Sequence, residues 1–456
     1  MKAPHLTLAS RLFAAASLVL TSAGAVASTA FDNTSPNTFV DFGTPTSQAM
    51  AYSPFAGAIS TYGEGGGSIV NNAKQGSNLG SLGLGLYRIP LQWNGGNIIS
   101  GAGGGPTNVS GDNWINAIKG FGGEPMIVVA GTSNNNFTPD DAAALVQHFN
   151  PSNRVTYWVI GNEPNNGGMS MSSYCTLFNA TVDRMKAIDP TIKVVGPAWS
   201  SYSQGDLQTF LNCAGSKVDV VDYHHYAMGG SYLDNATALS KTPDWENEVT
   251  QIRQMINATV PDRASSIDIQ VGEYNWSWRS GDGYPGWNGD DRFYQGVATV
   301  WAASVAGHIM RAGGRGHQYS DQNGALGITF EKLSDATHFG QQIDDPMPIY
   351  HGLRMFSGGS LFRAFGSTSV QASTTLTNVE VFASTNGQNV VMINKDPSAI
   401  QTAVMQTTAL AATSVDVWQT NNNAPFQAPV LQATLAVNGN ITYTLPPYSV
   451  TTFVFH

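Results

Sequence analysis

Two glutamates stand where a chain could use them as a pair. Glu163 follows the run Tyr157-Trp158-Val159-Ile160 and lies in Gly161-Asn162-Glu163-Pro164. Glu273 follows Ile267-Asp268-Ile269-Gln270-Val271-Gly272 and leads into Tyr274-Asn275-Trp276. Each run reads as a buried strand, and Pro164 stops the first from pairing further. The C-terminal lip of a strand is where α/β proteins keep their chemistry. Either glutamate alone could be a solvated rim residue. Together they could flank a scissile bond, one protonated as general acid and the other ionised as nucleophile or as base for a water. That is the equipment of glycoside hydrolysis.

Other residue types gather at strand ends. Asp222-Tyr223-His224-His225-Tyr226 closes an apolar run, and in a regular strand only one of the two histidines can face the mouth. Adjacent histidines also suggest a metal, but no third ligand is spaced for it, so no metal is expected. Arg88, in Tyr87-Arg88-Ile89-Pro90, needs a partner because a lone buried cation is costly. Sugar rings stack their C–H faces on indole. Trp93, Trp276, Trp278 and Trp287 follow strands and are the stacking candidates, Trp278 and Trp287 foremost because of the Gly- and Asp-rich loop 279–291. Trp158 and Trp301 read as core. Asp290-Asp291 and Asp344-Asp345 could hold a structural Ca²⁺ or be plain solvated loop residues. Glu64, between two glycines, could line the cleft or be an ordinary loop position.

These residues need a frame. Strand candidates are Phe55 to Thr61, Gly85 to Ile89, Pro125 to Ala130, Val155 to Ile160, Ile192 to Val195, Val218 to Tyr223, Ile267 to Val271 and Gly316 to Ser320. Helical patterns lie between them, at Asp140 to Phe149 after Thr138-Pro139, Ser172 to Ile188, Trp245 to Asn257 and Arg292 to Met310. Strands alternating with helices over residues 51–352 predict an α/β fold, a parallel (β/α)8 TIM barrel. An open doubly wound sheet is the alternative, but no Gly-x-Gly-x-x-Gly follows the first strand. Over residues 353–456 helical periodicity is absent and short strands alternate with turns. Asn386-Gly387 and Asn438-Gly439 are hairpin signals. This predicts a C-terminal antiparallel β-sandwich domain, to which the 28–50 segment, extended from Thr38 to Phe42, could add a strand.

The remaining composition fits work on neutral ligands. Only 11% of the 456 residues are charged, well below the roughly 25% of ordinary soluble proteins. The net charge is −10 with no basic run, which argues against nucleic acid. Lys2 and Arg11 precede the apolar run Leu12 to Leu20, and Ala25-Val26-Ala27 fits a cleavage site. Residues 1–27 therefore read as a signal peptide, giving a secreted or periplasmic protein. No later run is long enough to span a membrane, and a monomer is expected. Cys175 and Cys213 form either a disulfide or two free buried thiols.

Asn162-Glu163-Pro164 at the end of a fourth strand and Glu273 at the end of a seventh resemble clan A of the retaining glycoside hydrolases. Gly272-Glu273-Tyr274-Asn275-Trp276 and Met185-Lys186-Ala187-Ile188-Asp189-Pro190 are similar to family 44. Met347-Pro348-Ile349-Tyr350 into Gly352-Leu353-Arg354-Met355-Phe356 resembles the barrel-to-sandwich junction of family 39. The resemblance implies that Glu163 is the acid/base and Glu273 the nucleophile, about 5 Å apart. It implies that Asn162 bonds the sugar 2-hydroxyl, with strand-end capping as the plainer role. His224 and Tyr226 match the clan's His-x-Tyr, with His224 tuning the acid/base or touching the sugar and Tyr226 holding the nucleophile. Arg88 would sit beside the nucleophile or in a structural salt bridge. The clan's aromatic after the eighth strand, often Trp, is absent, and Tyr319 is the substitute. The expected activity is a retaining β-glycosidase on plant or microbial polysaccharide, endo-β-glucanase- or xyloglucanase-like. An exo-acting β-xylosidase-like enzyme is the alternative, and a non-catalytic carbohydrate-binding protein the alternative of another class.

Overall fold

The structure is a computed structural model. It describes residues 35–48, 55–59, 69–70, 72–100, 110–130, 135–229, 233–278, 289–320, 327–330, 332–385 and 387–456. The expected signal peptide at 1–27, Glu64 and Trp287 lie outside the described residues.

The chain opens with β1 (Thr38–Pro45). There follow β2 (Phe55–Ile59), α1 (Ala73–Leu82), β3 (Leu86–Asn94), β4 (Asn97–Ser100), α2 (Gly111–Gly120), β5 (Glu124–Val129), α3 (Pro139–Phe149), β6 (Tyr157–Ile160) and α4 (Met171–Ile188). Next come β7 (Lys193–Trp199), α5 (Gln204–Ala214), β8 (Val220–Tyr226), α6 (Asn235–Ser240), α7 (Asp244–Thr259), β9 (Asp268–Asn275), α8 (Gly296–Arg311) and β10 (Arg315–Ser320). Helices α9 (Leu333–His338) and α10 (Pro348–Ser357) lead to the strands β11 (Val370–Thr374), β12 (Val379–Ser384), β13 (Asn389–Asn394) and β14 (Gln401–Thr408). The chain ends in β15 (Ser414–Gln419), β16 (Val430–Ala436), β17 (Ile441–Leu445) and β18 (Ser449–Phe455).

One sheet runs β2-β10-β9-β8-β7-β6-β5-β3-β4, and β2 also pairs with β3. That pairing closes a ring in which every strand but β4 is parallel to its neighbours, the (β/α)8 barrel. The eighth strand, β10, pairs with both β9 and β2. Side chains alternate across it. Leu86, Met126, Val128, Tyr157, Val159, Val195 and Val220 fill the interior. Tyr87, Ile89, Leu91, Ile127, Trp158 and Val221 face the helices. Trp158 and Trp301 are core, as expected. Helix α3 starts where Thr138-Pro139 signalled, through a capping box with Asp141.

Two local expectations fail. The second strand does not stop at Pro90. It continues to Asn94 and turns through Gly95-Gly96 (φ 56° and 102°) into β4, so 91–100 is a β-hairpin. Asn438-Gly439 is not a hairpin either, since β16 and β17 lie in different sheets.

The C-terminal sandwich stacks β11-β1-β14-β17 on β12-β13-β18-β15-β16. β1 runs parallel to β14 and antiparallel to β11. Val40, Phe42, Val381, Met392, Val417, Phe453 and Phe455 fill the space between the sheets. Every residue of α8 except Arg311 is buried, as befits a helix apolar on all sides. Cys175 on α4 and Cys213 on α5 form a disulfide with a Cα–Cα distance of 6.1 Å. Among the described residues no helix is long and apolar enough to cross a membrane.

Candidate active site

The inward positions at the C-terminal ends of β3, β6, β8 and β9 converge. Along β8 the alternation puts Asp222, His224 and Tyr226 inside the barrel. His225 turns outward, where it stacks on Trp245 (4.1 Å between centroids) and pairs with Glu248 at 2.8 Å. On β9 a register shift opposite Tyr223 and His224 aligns Glu273 with His224. At the end of β6 the backbone turns sharply, with Gly161 at φ 80° and Glu163 at φ 43°, which swings the Glu163 side chain over the mouth.

Glu273 is 8% exposed and both its oxygens are engaged. Arg88 Nη1 donates to Oε1 at 2.5 Å and the Tyr226 hydroxyl donates to Oε2 at 2.8 Å. Arg88 Nη2 also donates to Asn162 Oδ1. Glu163 is more open. Its Oε1 lies 2.8 Å from His224 Nδ1, and Asn166 Nδ2 donates to its Oε2 at 2.8 Å. His224 Nδ1 is also 3.6 Å from Glu273 Oε2, and its Nε2 faces Arg88 Nη2 at 3.4 Å. Arginine only donates, so in the neutral imidazole these partners place the hydrogen on Nδ1 and the lone pair on Nε2. Glu163, His224 and Glu273 each offer one ligand atom within 4.8 Å of the others. A cation held there would compete with Arg88 for Glu273.

The electrostatics separate the groups. Burial would raise the Glu273 carboxyl, but the charges of His224 and Arg88 and the Tyr226 hydrogen bond outweigh it and hold Glu273 below its ordinary value. Burial would lower His224, yet the Glu273 charge and the Glu163 contact raise it overall. Asp222, fully buried one inward position below His224, is pushed up by desolvation. Its carboxyl lies against the Cα of Gly272, where any side chain would collide with it.

The structure thus brings Glu163, Glu273, Asn162, Arg88, His224 and Tyr226 together. Tyr319, at the end of β10, meets Tyr226 edge-on at 6.1 Å, which puts an aromatic ring beside the site where the tryptophan was missing. Trp278 is 47% exposed just after β9. Two stacking candidates are corrected. Trp276 is fully buried against Phe293 and Trp301, with its indole N–H on the Met228 sulfur, so no sugar can reach it. Trp93 sits at an outward position of β3 and packs toward His148 of α3, away from the mouth. One aspartate of each pair is engaged by a cation of the chain itself. Asp290 clamps Arg292, and Asp345 pairs with Lys74 at 2.9 Å.

Three residues at the site escaped the sequence reading. Asn166 touches Glu163, Asp222 underlies His224, and Asn135 bonds the backbone of Asn162 at both its N–H and its C=O. For Asp222 the signal was present, because it shares the parity of His224 and Tyr226. Asn135 and Asn166 lie in asparagine-rich loops, where nothing distinguishes them from neighbours.

A family model described as glycosyl hydrolases family 39 matches residues 144–291, a segment that carries both glutamates. No curated protein matches the chain by sequence. Solved structures share the architecture at low identity. A family 51 arabinofuranosidase from Xanthomonas axonopodis pv. citri superposes with a TM-score of 0.69 at 16% identity, covering 92% of this chain and 100% of that one. CelM2, a bifunctional glucanase-xylanase from a metagenome library, gives 0.64 at 15%, covering 93% and 99%. A Paenibacillus polymyxa xyloglucanase from family 44 gives 0.63 at 14%, covering 92% and 99%. These likenesses establish the fold. With the family match over the segment that holds both carboxylates, the chain is a glycoside hydrolase, and its likenesses are consistent with clan A.

Proposed function

We propose that this glycoside hydrolase is an exported enzyme that cuts polysaccharide by double displacement, with Glu273 as nucleophile and Glu163 as acid/base. The observation that carries the reading is their spacing. Oxygens of the two carboxylates lie within 4.8 Å of each other. Retaining enzymes hold them about 5 Å apart, whereas inverting enzymes need roughly 6.5–9.5 Å to seat a water.

The environments divide the labour. Glu273, held ionised by Arg88, His224 and Tyr226, attacks the anomeric carbon. As the glycosidic C–O bond breaks, the proton on Glu163 passes to the leaving oxygen. Glu163 then takes a proton from water, the water oxygen attacks the same carbon, and Glu273 departs as carboxylate. Two inversions give net retention. Asn162, whose Oδ1 accepts from Arg88, bonds the sugar 2-hydroxyl in this reading. The Cys175–Cys213 disulfide supports an oxidising destination, in line with the leader expected at 1–27.

For the substrate we favour internal cleavage of a β-1,4-glucan or xyloglucan, on the family 44 likeness of the segment around Glu273. A second reading, an exo-acting β-xylosidase-like enzyme, is favoured by the family 39 match. Reducing-sugar release across a panel of β-glucans, xyloglucan, xylan and arabinan, with proton NMR of the first products, tests both. Early β-anomers from a β-linked chain support the proposal, oligomers favour the endo reading and monomers the exo reading. Early α-anomers refute the mechanism.

A further inference from the structure

The acid/base side chain depends on a backbone that cannot hold its own shape. Gly161 and Glu163 both have left-handed backbone angles (φ 80° and 43°), one on each side of Asn162. For a glutamate this conformation is sparsely populated and persists only where the surroundings over-determine it. Two supports are main-chain bonds, Gly161 N–H to Val129 C=O at 3.2 Å and Glu163 N–H to Ala198 C=O at 2.9 Å. The third is a side chain. Asn135 Oδ1 accepts from the Asn162 N–H at 2.9 Å, and Asn135 Nδ2 donates to the Asn162 C=O at 2.9 Å. One amide group thus grips both polar groups of one peptide residue, as a neighbouring strand would. Gly161 makes room for it, because a Cβ there would collide with Asn135 Oδ1.

We infer that Asn135 is a positioning residue for the acid/base step, an inference that rests on the assignment of Glu163 above. It does not touch the reacting atoms. It fixes the Asn162-Glu163 backbone, so that Glu163 Oε1 meets His224 Nδ1 and Asn162 Oδ1 meets Arg88 in one arrangement. Without the grip, the left-handed turn relaxes and the Glu163 carboxyl leaves the line to the leaving oxygen. A misplacement of about 1 Å from such a change can cost on the order of 100-fold in rate.

The test separates a positioning role from a merely structural one through the leaving group. A glycoside of 2,4-dinitrophenol departs without an acid, whereas a glycoside of phenol needs one. Asn135→Ala, Asn135→Asp and Glu163→Gln are compared with the unaltered enzyme on this pair of aryl glycosides, in the sugar found by the substrate panel. Asn135→Ala should lower kcat/KM on the phenyl glycoside by roughly 10–100-fold and on the dinitrophenyl glycoside several-fold less. Asn135→Asp keeps the acceptor for the Asn162 N–H and should lose less, and it keeps the test open if the alanine variant does not fold. Glu163→Gln should show the same leaving-group pattern more strongly. Equal losses on both glycosides, or no loss, for the Asn135 variants beside a normal Glu163→Gln pattern overturn the positioning role alone. A Glu163→Gln enzyme with no leaving-group dependence overturns the assignment beneath it.

Discussion

Arg88 Nη1 and Glu273 Oε1 lie 2.5 Å apart, joining β3 to β9 across the mouth of the barrel. Arg88 is 4% exposed and Glu273 8%, so the pair is shielded from salt and water. Such a pair has a directional consequence. Burial by itself would push the Glu273 carboxyl up, and Arg88 is among the groups that bring it below its ordinary value. Arg88→Met should therefore raise Glu273, and the acid limb of kcat/KM should move to higher pH. Removing one partner of a buried pair costs about 3–5 kcal/mol of folding stability, and the misplaced nucleophile should lower kcat/KM at the optimum on the order of 100-fold. A pH–rate profile of the variant checks both. An acid limb left in place contradicts the role given to Arg88.

Tyr226 supports the other oxygen of Glu273 at 2.8 Å. Tyr226→Phe removes one hydrogen bond to an ionised group, worth about 1.5–3 kcal/mol of stability, and kcat/KM should drop up to about 100-fold through the looser placement of the nucleophile. Its acid limb should shift in the same direction as that of Arg88→Met, and by less, since no charge is lost. Titrating the two variants side by side orders the effects.

Much of this constellation was legible in the sequence because it lies on strands. A strand fixes side-chain parity, so the alternation that sent His224 inward and His225 outward could be read from Asp222 to Tyr226. Arg88 in an apolar run had to find a buried partner, and Glu273 is that partner. Legibility failed where backbone shape decides. Gly95-Gly96 makes a hairpin turn because both residues are left-handed, which the glycines permit but do not announce. Asn438-Gly439 has the same permission and instead carries the chain from one sandwich sheet to the other. Trp276 looked like a subsite because it follows the catalytic strand, yet the indole is fully buried beside Trp301 of α8. In the sandwich, β14 and β16 carry little strand signal, because Gln401–Thr408 is largely polar and Val430–Ala436 is an exposed edge strand. Asn135 was invisible because a loop asparagine gains its meaning only from the backbone it bonds.

A second buried network joins barrel to sandwich. Glu380 of β12 accepts from His308 Nε2 at 3.0 Å, Lys395 at 2.5 Å and Ser304 at 2.5 Å. Burial would raise its carboxyl, but the His308 and Lys395 contacts hold it at about 2. A carboxyl depressed in the folded state stabilises above its unfolded value, near 4.3, and the contribution is lost as pH falls toward 2. The depression corresponds to about 3 kcal/mol at neutral pH. Glu380→Gln should lower the urea midpoint at neutral pH and flatten the decline in stability through the acid range. A parallel decline in both proteins contradicts this.

The Cys175–Cys213 disulfide closes a sequence separation of 38 residues between neighbouring barrel helices. Chain-entropy reasoning gives such a loop about 3–4 kcal/mol. Cys175→Ser paired with Cys213→Ser should lower the thermal midpoint while leaving kcat/KM near that of the parent, because neither helix carries a site residue. Calorimetry together with a single activity assay separates the two outcomes.

Glu273, and not Glu163, is the residue proposed to form the covalent bond to sugar. A 2-deoxy-2-fluoro glycoside with a dinitrophenyl leaving group slows both steps but lets the bond form, so the intermediate accumulates. Peptide mapping by mass spectrometry after such incubation should find the fluorosugar on the peptide containing Gly272-Glu273-Tyr274, esterified at Glu273, and find none in Glu273→Ala. A label on Glu163, or turnover with no label on either glutamate, would contradict the account.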